Sequence, residues 1–302
     1  SDHSYDQRVQ SGVHGYDSWK GFKSRYNSIK EYARTVAHDF EDINLEWCLN
    51  FKQYLLDRGV TNNYGNKIIS NFKSAMLQAV ENELTENRKW QNKRFSISKE
   101  SIHAVYFNVD ELTHLYYFKF KREALSRVRD SFLIDCFTGL RFSDGVELHQ
   151  DKIKIVDGYR YFVVNTKKTN TRVFIPLHPI VEKILEKYDG NLPPTISQQK
   201  MNTHLKDMAR EAGFIKPIYI SRTVGGRLQE KKYETWEKVT SHTGRRSCAT
   251  NMYLANVPIK SIMLLTGHKT VKQLMDYIKV DALQNAKLLS KSDFFKMKLK
   301  RI

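Results

Sequence analysis

Apolar residues recur at three- and four-residue steps along most of this chain and turn into strand-like runs in one short stretch only. That change of period constrains the fold more than any other feature. In the first hundred residues, Phe22, Tyr26, Ile29 and Tyr32-Ala33 lay out one amphipathic helix, and Trp47, Phe51, Tyr54 and Leu55 a second. Ile68, Phe72, Met76 and Val80 lay out a third, with Lys67 and Lys73 off its apolar stripe. Asp57-Arg58-Gly59 and Thr61-Asn62-Asn63 carry stop and start signals between the last two. A small bundle of about four helices is expected. The β-rich runs are 153–156, 161–164 and 173–175. Asp157-Gly158 is a hairpin turn, and Lys167-Lys168-Thr169-Asn170 is the polar turn before the third run. Together they predict a three-stranded antiparallel meander. Helical period returns after Pro179, with Val181, Ile184 and Leu185, then Leu205 and Met208. The expected class is mainly α with one small antiparallel sheet.

A length of 302 residues suggests two domains. Residues 86–94 are basic and polar without apolar periodicity and read as an interdomain linker. Its Arg88, Lys89, Lys93 and Arg94 fit a solvated loop or a basic strap crossing a phosphate backbone, and composition alone favours the loop. The next element opens at Asn108-Val109-Asp110-Glu111, a capping-box pattern. The division expected is a helical domain over 1–100 and a second domain over 101–302.

Lys and Arg outnumber Asp and Glu by 50 to 33, a formal charge of +17. Such an imbalance calls for a polyanionic partner: DNA, RNA or an anionic membrane surface. No apolar run approaches a spanning helix, and no N-terminal stretch has signal-peptide order. Cys48, Cys136 and Cys248 lack metal-ligand spacing and read as buried or incidental thiols of a reducing cytoplasm. The chain opens Ser1-Asp2-His3-Ser4 without an initiator methionine, as a segment trimmed from something longer would.

The chemistry-bearing residues fall in a fixed order. Thr138-Gly139-Leu140-Arg141 follows an apolar run, and Asp144 stands three residues on. Ser241-His242-Thr243-Gly244-Arg245-Arg246-Ser247 comes later, then Thr266-Gly267-His268, then Tyr277 nine residues after that histidine. Attack on a phosphodiester builds negative charge on the non-bridging oxygens, and without a metal fixed cations must carry it. Arginine suits this because its planar fork donates two hydrogen bonds and stays protonated. Arg141 and Arg245 are the candidates. His242 and Arg245 share a helix face at a three-residue step. Gly267 ends a helix and sets His268 at the next start, where an imidazole can donate to phosphate or simply cap. A tyrosine hydroxyl is a nucleophile once cations stabilise the phenolate. Alone, Tyr277 reads as part of an apolar stripe with Leu274 and Ile278, one of sixteen tyrosines. A lysine on the polar turn can protonate the leaving 5′-oxygen, Lys168 first and Lys167 second.

The joint order of these elements over residues 108–285 resembles the tyrosine recombinase, or phage integrase, family, and the phrase 241–247 is similar to versions from Bacteroides-type mobile elements. The resemblance implies an N-terminal four-helix SAM-like core-binding domain and an α-rich catalytic domain with a small three-stranded sheet and a C-terminal tail. It implies that Arg141, Arg245 and His268 bind the scissile phosphate, and that His242 positions it and accepts a proton. Lys168 becomes the general acid, Tyr277 forms a 3′-phosphotyrosine, and Asp144 supports the arginine. Gly244 stands where many members carry Ala or Leu, a change expected to be tolerated. The arm-binding domain of larger members is not recognisable here.

The resemblance further implies double-stranded DNA held by a clamp of the two domains, Lys67 and Lys73 on its DNA face, and phosphate contacts that make binding salt-dependent. A homotetramer on DNA, joined through the C-terminal segment 294–300, would exchange strands without ATP, metal or other cofactor, in a bacterial cytoplasm on the nucleoid. Accessory DNA-bending proteins are compatible partners, and a membrane is not. The competing enzyme is a type IB topoisomerase, which uses a closely similar residue set.

Overall fold

The computed structural model describes residues 16–36, 39–101, 103–167 and 170–297, with side chains from residue 20 onward. The chain divides into two units: Ser1–Ile102 with Tyr219–Lys231, and His103–Ile218 with Lys232–Ile302.

In the first unit, three α-helices are described: α1 (Tyr16–Val36), α2 (Leu45–Asp57) and α3 (Asn62–Glu81). Asn44 caps α2, its Oδ1 accepting from the Trp47 amide at 2.9 Å, and Thr61 caps α3. The apolar stripes read from the sequence become the core. Trp47, Phe51 and Leu55 of α2 meet Ile68, Phe72 and Met76 of α3.

The stretch 86–94 departs from the linker reading. It holds a 3-10 turn (Lys89–Gln91), and Trp90 is buried in the first unit's core together with Phe95 and Ile97 that follow. Asn87 fixes the stretch, its Nδ2 donating to the carbonyls of Phe40 at 2.7 Å and Ile43 at 3.0 Å. Only three apolar side chains hold it down, at irregular spacing. Arg88 and Lys89 before Trp90, and Lys93 and Arg94 after it, stay exposed, which hides the anchor from a periodicity reading.

The second unit centres on α5 (Glu123–Thr138), whose Leu125, Val128, Phe132, Leu133, Ile134 and Cys136 are all buried. Before it comes α4 (Val109–Tyr117), opened by the expected reciprocal box between Asn108 and Glu111. After it come the four-residue α6 (Phe142–Gly145) and the meander β1 (Ile153–Val156), β2 (Tyr159–Asn165) and β3 (Arg172–Pro176). Phe162 pairs with Ile175 and Val164 with Val173, giving a buried inner face. Asp157 and Gly158 take φ of 50° and 79°, as a two-residue hairpin turn requires. Helices α7 (Pro179–Lys187) and α8 (Gln198–Glu211) follow.

A second hairpin, β4 (Pro217–Val224) and β5 (Arg227–Glu234), was not foreseen. β5 reads Arg-Leu-Gln-Glu-Lys-Lys-Tyr-Glu and is almost wholly exposed, so no apolar alternation marks it. Its outer part belongs to the first unit. There the Gly225 amide donates to the Val60 carbonyl at 3.1 Å, and the Thr223 amide to the Glu100 carboxylate at 3.1 Å.

The C-terminal third of the second unit is helical: α9 (Ser241–Leu254), α10 (Ile259–Thr266), α11 (Val271–Met275), α12 (Ala282–Ser290) and α13 (Asp293–Lys296). Helix α9 lies along α5. Among the described residues, no helix is long and apolar enough to cross a membrane. The three cysteines are free and buried.

Candidate active site

Four chain turns of the second unit build one cluster. The first is the end of α5. Gly139 takes φ +65°, a left-handed cap that reverses the chain. Leu140 is buried, and Arg141 becomes the N-cap of α6 with its side chain only 17% exposed. Its Nη1 is buried without a hydrogen-bond partner in the protein. That nitrogen lies 4.0 Å from Oδ2 of Asp144, itself buried. The other oxygen of Asp144, Oδ1, accepts from the Lys167 amide at 2.9 Å. Asp144 thus lies between the β2–β3 turn and the arginine.

The second turn is the start of α9, where Thr240 and Thr243 cap each other reciprocally. Gly244 presses on α5: a Cβ here would lie 2.8 Å from Cβ of Asp135. This close approach carries Arg245 inward to 2% exposure. The Arg245 Nη1 donates to the Gly139 carbonyl at 2.7 Å, and Nη2 donates to the Thr266 carbonyl and lies 3.3 Å from His268 Nε2. Its Nε is buried without a protein partner. His242, three residues earlier, is exposed, so the two residues of the pair differ in environment.

The third turn is Gly267, again left-handed at φ +65°, which ends α10 and points the His268 ring at Arg245. His268 Nδ1 lies 2.7 Å from the hydroxyl of Thr266. The fourth is the end of α11. Leu274 is buried, and Ile278 packs with it against Ala249 and Ile262. Tyr277 leaves that stripe. Its ring stands 4.8 Å from the His268 ring, 5.6 Å from the Arg245 guanidinium and 5.7 Å from that of Arg246. The Lys279 amide donates to Thr250 Oγ1 at 3.2 Å and pins the following backbone to α9.

The electrostatics follow from this crowding of cations in a half-buried place. Burial, then the charges of Arg245 and Arg141, push the His268 imidazole down to about 4, so it is neutral at physiological pH. Burial and Arg141 lower Arg245 to about 10, which leaves it protonated, while Tyr277 acts in the opposite sense. Burial also lowers Arg246, again opposed by Tyr277. Behind the cluster, burial raises the Asp135 carboxyl to about 8, so it is mostly protonated at neutral pH. The cluster therefore presents guanidinium donors without protein acceptors beside a tyrosine ring and a neutral imidazole. That composition suits an anion with several oxygens, such as a phosphodiester.

The structure thus brings Arg141, Asp144, Arg245, His268 and Tyr277 together. Lys167 contributes its amide to Asp144, while its ammonium pairs with Glu147 at 2.5 Å. Lys168 lies outside the described residues. The DNA-contact candidates Lys67, Lys73, Arg88, Lys89, Lys93 and Arg94 belong to the first unit, where Lys67 is exposed and the Lys73 ammonium sits 5.3 Å above the Phe95 ring. Two participants escaped the sequence reading. Arg246 flanks Tyr277, and only its adjacence to Arg245 could have suggested it. Thr266 touches His268 through its side chain and Arg245 through its carbonyl. The Thr-Gly-His order signals a helix end but not that dual contact.

Two family models match the chain: the phage integrase SAM-like domain over residues 4–97 and the phage integrase family over residues 109–284. Similar solved structures include three of DNA complexes. The XerH site-specific recombinase bound to palindromic difH, a post-cleavage complex, shares 15% identity at a TM-score of 0.64, covering 96% of this chain and 84% of that one. A lambda integrase dimer bound to a COC′ core site shares 18% at 0.62, covering 92% and 76%. The Tn1549 transposon integrase in complex with transposon right end DNA shares 12% at 0.66, covering 95% and 96%. Among curated protein sequences none matches. The integrase model spans more than half of the residues and takes in every member of the cluster just described, so the chain belongs to the phage integrase family, the tyrosine recombinases that break and rejoin DNA.

Proposed function

We propose that this recombinase uses Tyr277 as its nucleophile on duplex DNA, within an active site formed by Arg141, Lys168, His242, Arg245 and His268. The phenolic oxygen attacks the scissile phosphorus, a 3′-phosphotyrosine bond forms, and the bond to the 5′-oxygen breaks. Arg141, Arg245 and His268 hold the non-bridging oxygens as charge builds there. His242, exposed on the first turn of α9, takes the phenolic proton. Lys168 gives a proton to the departing 5′-oxygen. Its neighbour Lys167 is the weaker candidate, because its ammonium is engaged by Glu147. The 5′-hydroxyl of a partner strand then attacks the phosphotyrosine, so bond energy is conserved without ATP.

One observation carries this reading. Two guanidiniums with buried, partnerless donors, Nη1 of Arg141 and Nε of Arg245, belong to the same cluster as the Tyr277 ring. The SAM-like match over residues 4–97 favours strand exchange over topoisomerase-type relaxation. Lys67, Arg88, Lys89, Lys93 and Arg94, all exposed, supply a phosphate-contacting surface on the first unit. The division into a core-binding domain over 1–100 and a catalytic domain over 101–302 belongs to the same reading, as does work on the nucleoid of a bacterial cytoplasm.

Assembly as a homotetramer through the C-terminal segment is part of the proposal. Helix α12 buries no residue, and Phe294, Phe295 and Met297 are 72%, 61% and 61% exposed. Such a run of exposed apolar side chains suits a neighbouring protomer. Two duplexes carrying the attachment site test strand exchange. Joined products between them are expected, and relaxation of supercoils without joined products would favour the topoisomerase. The general acid is tested with a 5′-bridging phosphorothiolate, whose thiolate leaves without protonation. Lys168→Ala should cleave that substrate and fail on ordinary DNA. The same pattern from Lys167→Ala instead would reverse the assignment.

A further inference from the structure

Thr266 is held by three contacts, two of which reach Arg245 and His268 of the cluster. Its carbonyl accepts from Arg245 Nη2. Its hydroxyl lies 2.7 Å from His268 Nδ1 and 2.5 Å from the Ile262 carbonyl, to which it donates. The side chain is buried at 1% exposure, so no solvent competes for these positions.

The hydrogen-bond directions can be assigned by elimination. Arg245 has only donors, so the 3.3 Å contact to His268 makes Nε2 the acceptor. The imidazole is neutral, as its burial beside Arg245 and Arg141 dictates, so its one proton sits on Nδ1. That proton is donated to the Thr266 hydroxyl, which passes its own hydrogen to the Ile262 carbonyl. The chain runs one way, from Arg245 through His268 and Thr266 to Ile262. In that arrangement Nε2 offers a lone pair, not a hydrogen, and cannot donate to a phosphate oxygen.

We infer that Thr266 is a positioning residue that lets His268 exchange its tautomer when phosphate engages Arg245. With the arginine turned to a phosphate oxygen, Nδ1 releases its proton to water and Nε2 takes one up from water, which reaches the half-buried ring. The Thr266 hydroxyl rotates its hydrogen from the Ile262 carbonyl to Nδ1, and Nε2–H becomes the donor to phosphate. No proton is gained or lost overall. A hydroxyl is suited to this because it donates and accepts at the same position, whereas a carboxylate or carbonyl would lock Nδ1–H permanently. Arg245, Arg141 and the Tyr277 ring also surround the imidazole, and the contact made to Nδ1 is that of the Thr266 hydroxyl. The inference rests on the proposed role of His268 as a phosphate donor.

The test uses the full chain and a nicked duplex bearing the attachment site. Thr266→Val keeps the shape and the carbonyl but has no hydroxyl, and Thr266→Ser restores it. Single-turnover formation of the covalent adduct should fall for Thr266→Val towards the ~100-fold loss of a removed donor, with DNA affinity unchanged. Thr266→Ser should recover most of the rate. Imidazole nitrogen NMR, with the resonance assigned through His268→Gln, should show a protonated Nδ1 without DNA and a protonated Nε2 in the Tyr277→Phe complex with DNA. Equal adduct rates for wild type and Thr266→Val overturn the inference, as does one unchanged tautomer in the two NMR states. A slow Thr266→Ser would mean that packing of the methyl group matters and not the hydroxyl. If the wild type itself gives no Tyr277 adduct, the proposed function fails instead.

Discussion

Gly244→Ala is the sharpest structural test, because the glycine lies where α9 presses on α5 and an added Cβ would meet Asp135. An alanine Cβ would sit 2.8 Å from Cβ of Asp135 and 3.4 Å from two backbone atoms of α5, the Asp135 carbonyl carbon and the Cys136 amide nitrogen. Carbon atoms settle at about 3.5–4.0 Å, so α5 and α9 must part by roughly 1 Å. Overpacking of this kind costs about 1–3 kcal/mol. The lower half is expected, because a cavity lined by Val128, Ser131, Ile134 and Asp135 gives α5 room to retreat. At roughly 2–4 °C per kcal/mol, the melting temperature should fall by several degrees. Catalysis should fall further than stability, since the displacement stretches the 2.7 Å bond from Arg245 on α9 to the Gly139 carbonyl at the end of α5. Thermal unfolding and adduct formation measure the two effects. Asp135→Gly in the Gly244→Ala background removes the clashing Cβ, and the pair should couple favourably in a double-mutant cycle. A Gly244→Ala protein melting within a degree of wild type would refute the contact argument.

Three further outcomes follow from the electrostatics of the same cluster. The Asp135 carboxyl is raised from 3.8 to about 8, so its proton is kept on folding and stability declines as pH rises from about 4 to 8. Asp135→Asn should therefore gain most in melting temperature over wild type near pH 8 and little near pH 4; a gain independent of pH would contradict the burial argument. His268 is lowered from 6.5 to about 4, so its contribution is complete above pH 6.5 and is lost as pH falls towards 4. His268→Gln should flatten that part of the stability profile, and an unchanged profile would count against the depressed imidazole. Arg246→Ala removes a guanidinium 5.7 Å from the Tyr277 ring, a contact worth about 0.5–2 kcal/mol. Adduct formation should slow severalfold and recover in part with Arg246→Lys; no change would remove Arg246 from the site.

The architecture was legible where periodicity and punctuation agree. The stripes of α2 and α3, the Asn108 box, the Asp157-Gly158 turn and the meander all depend on local rules. What escaped depends on tertiary context. Residues 86–94 looked like a linker because Trp90, with Phe95 and Ile97 beyond, holds a basic stretch through irregular spacing. The β4–β5 hairpin escaped because a strand exposed on both faces has no apolar alternation. In the cluster, order along the chain pointed to Arg141, Arg245, His268 and Tyr277. It could not separate a buried Arg245 from an exposed His242 three residues away, which depends on how α9 meets α5. Thr266 and Arg246 act through distances that no spacing rule encodes.

The central claim is that Tyr277 becomes covalently joined to DNA. The most direct measurement incubates the protein in EDTA with a nicked duplex carrying the attachment site, followed by denaturing electrophoresis and peptide mapping of the shifted band. The expected result is a 3′-phosphotyrosine on the peptide holding Tyr277, absent from a Tyr277→Phe protein that still binds the DNA. An adduct on any other residue, or cleavage persisting in Tyr277→Phe, would contradict the account.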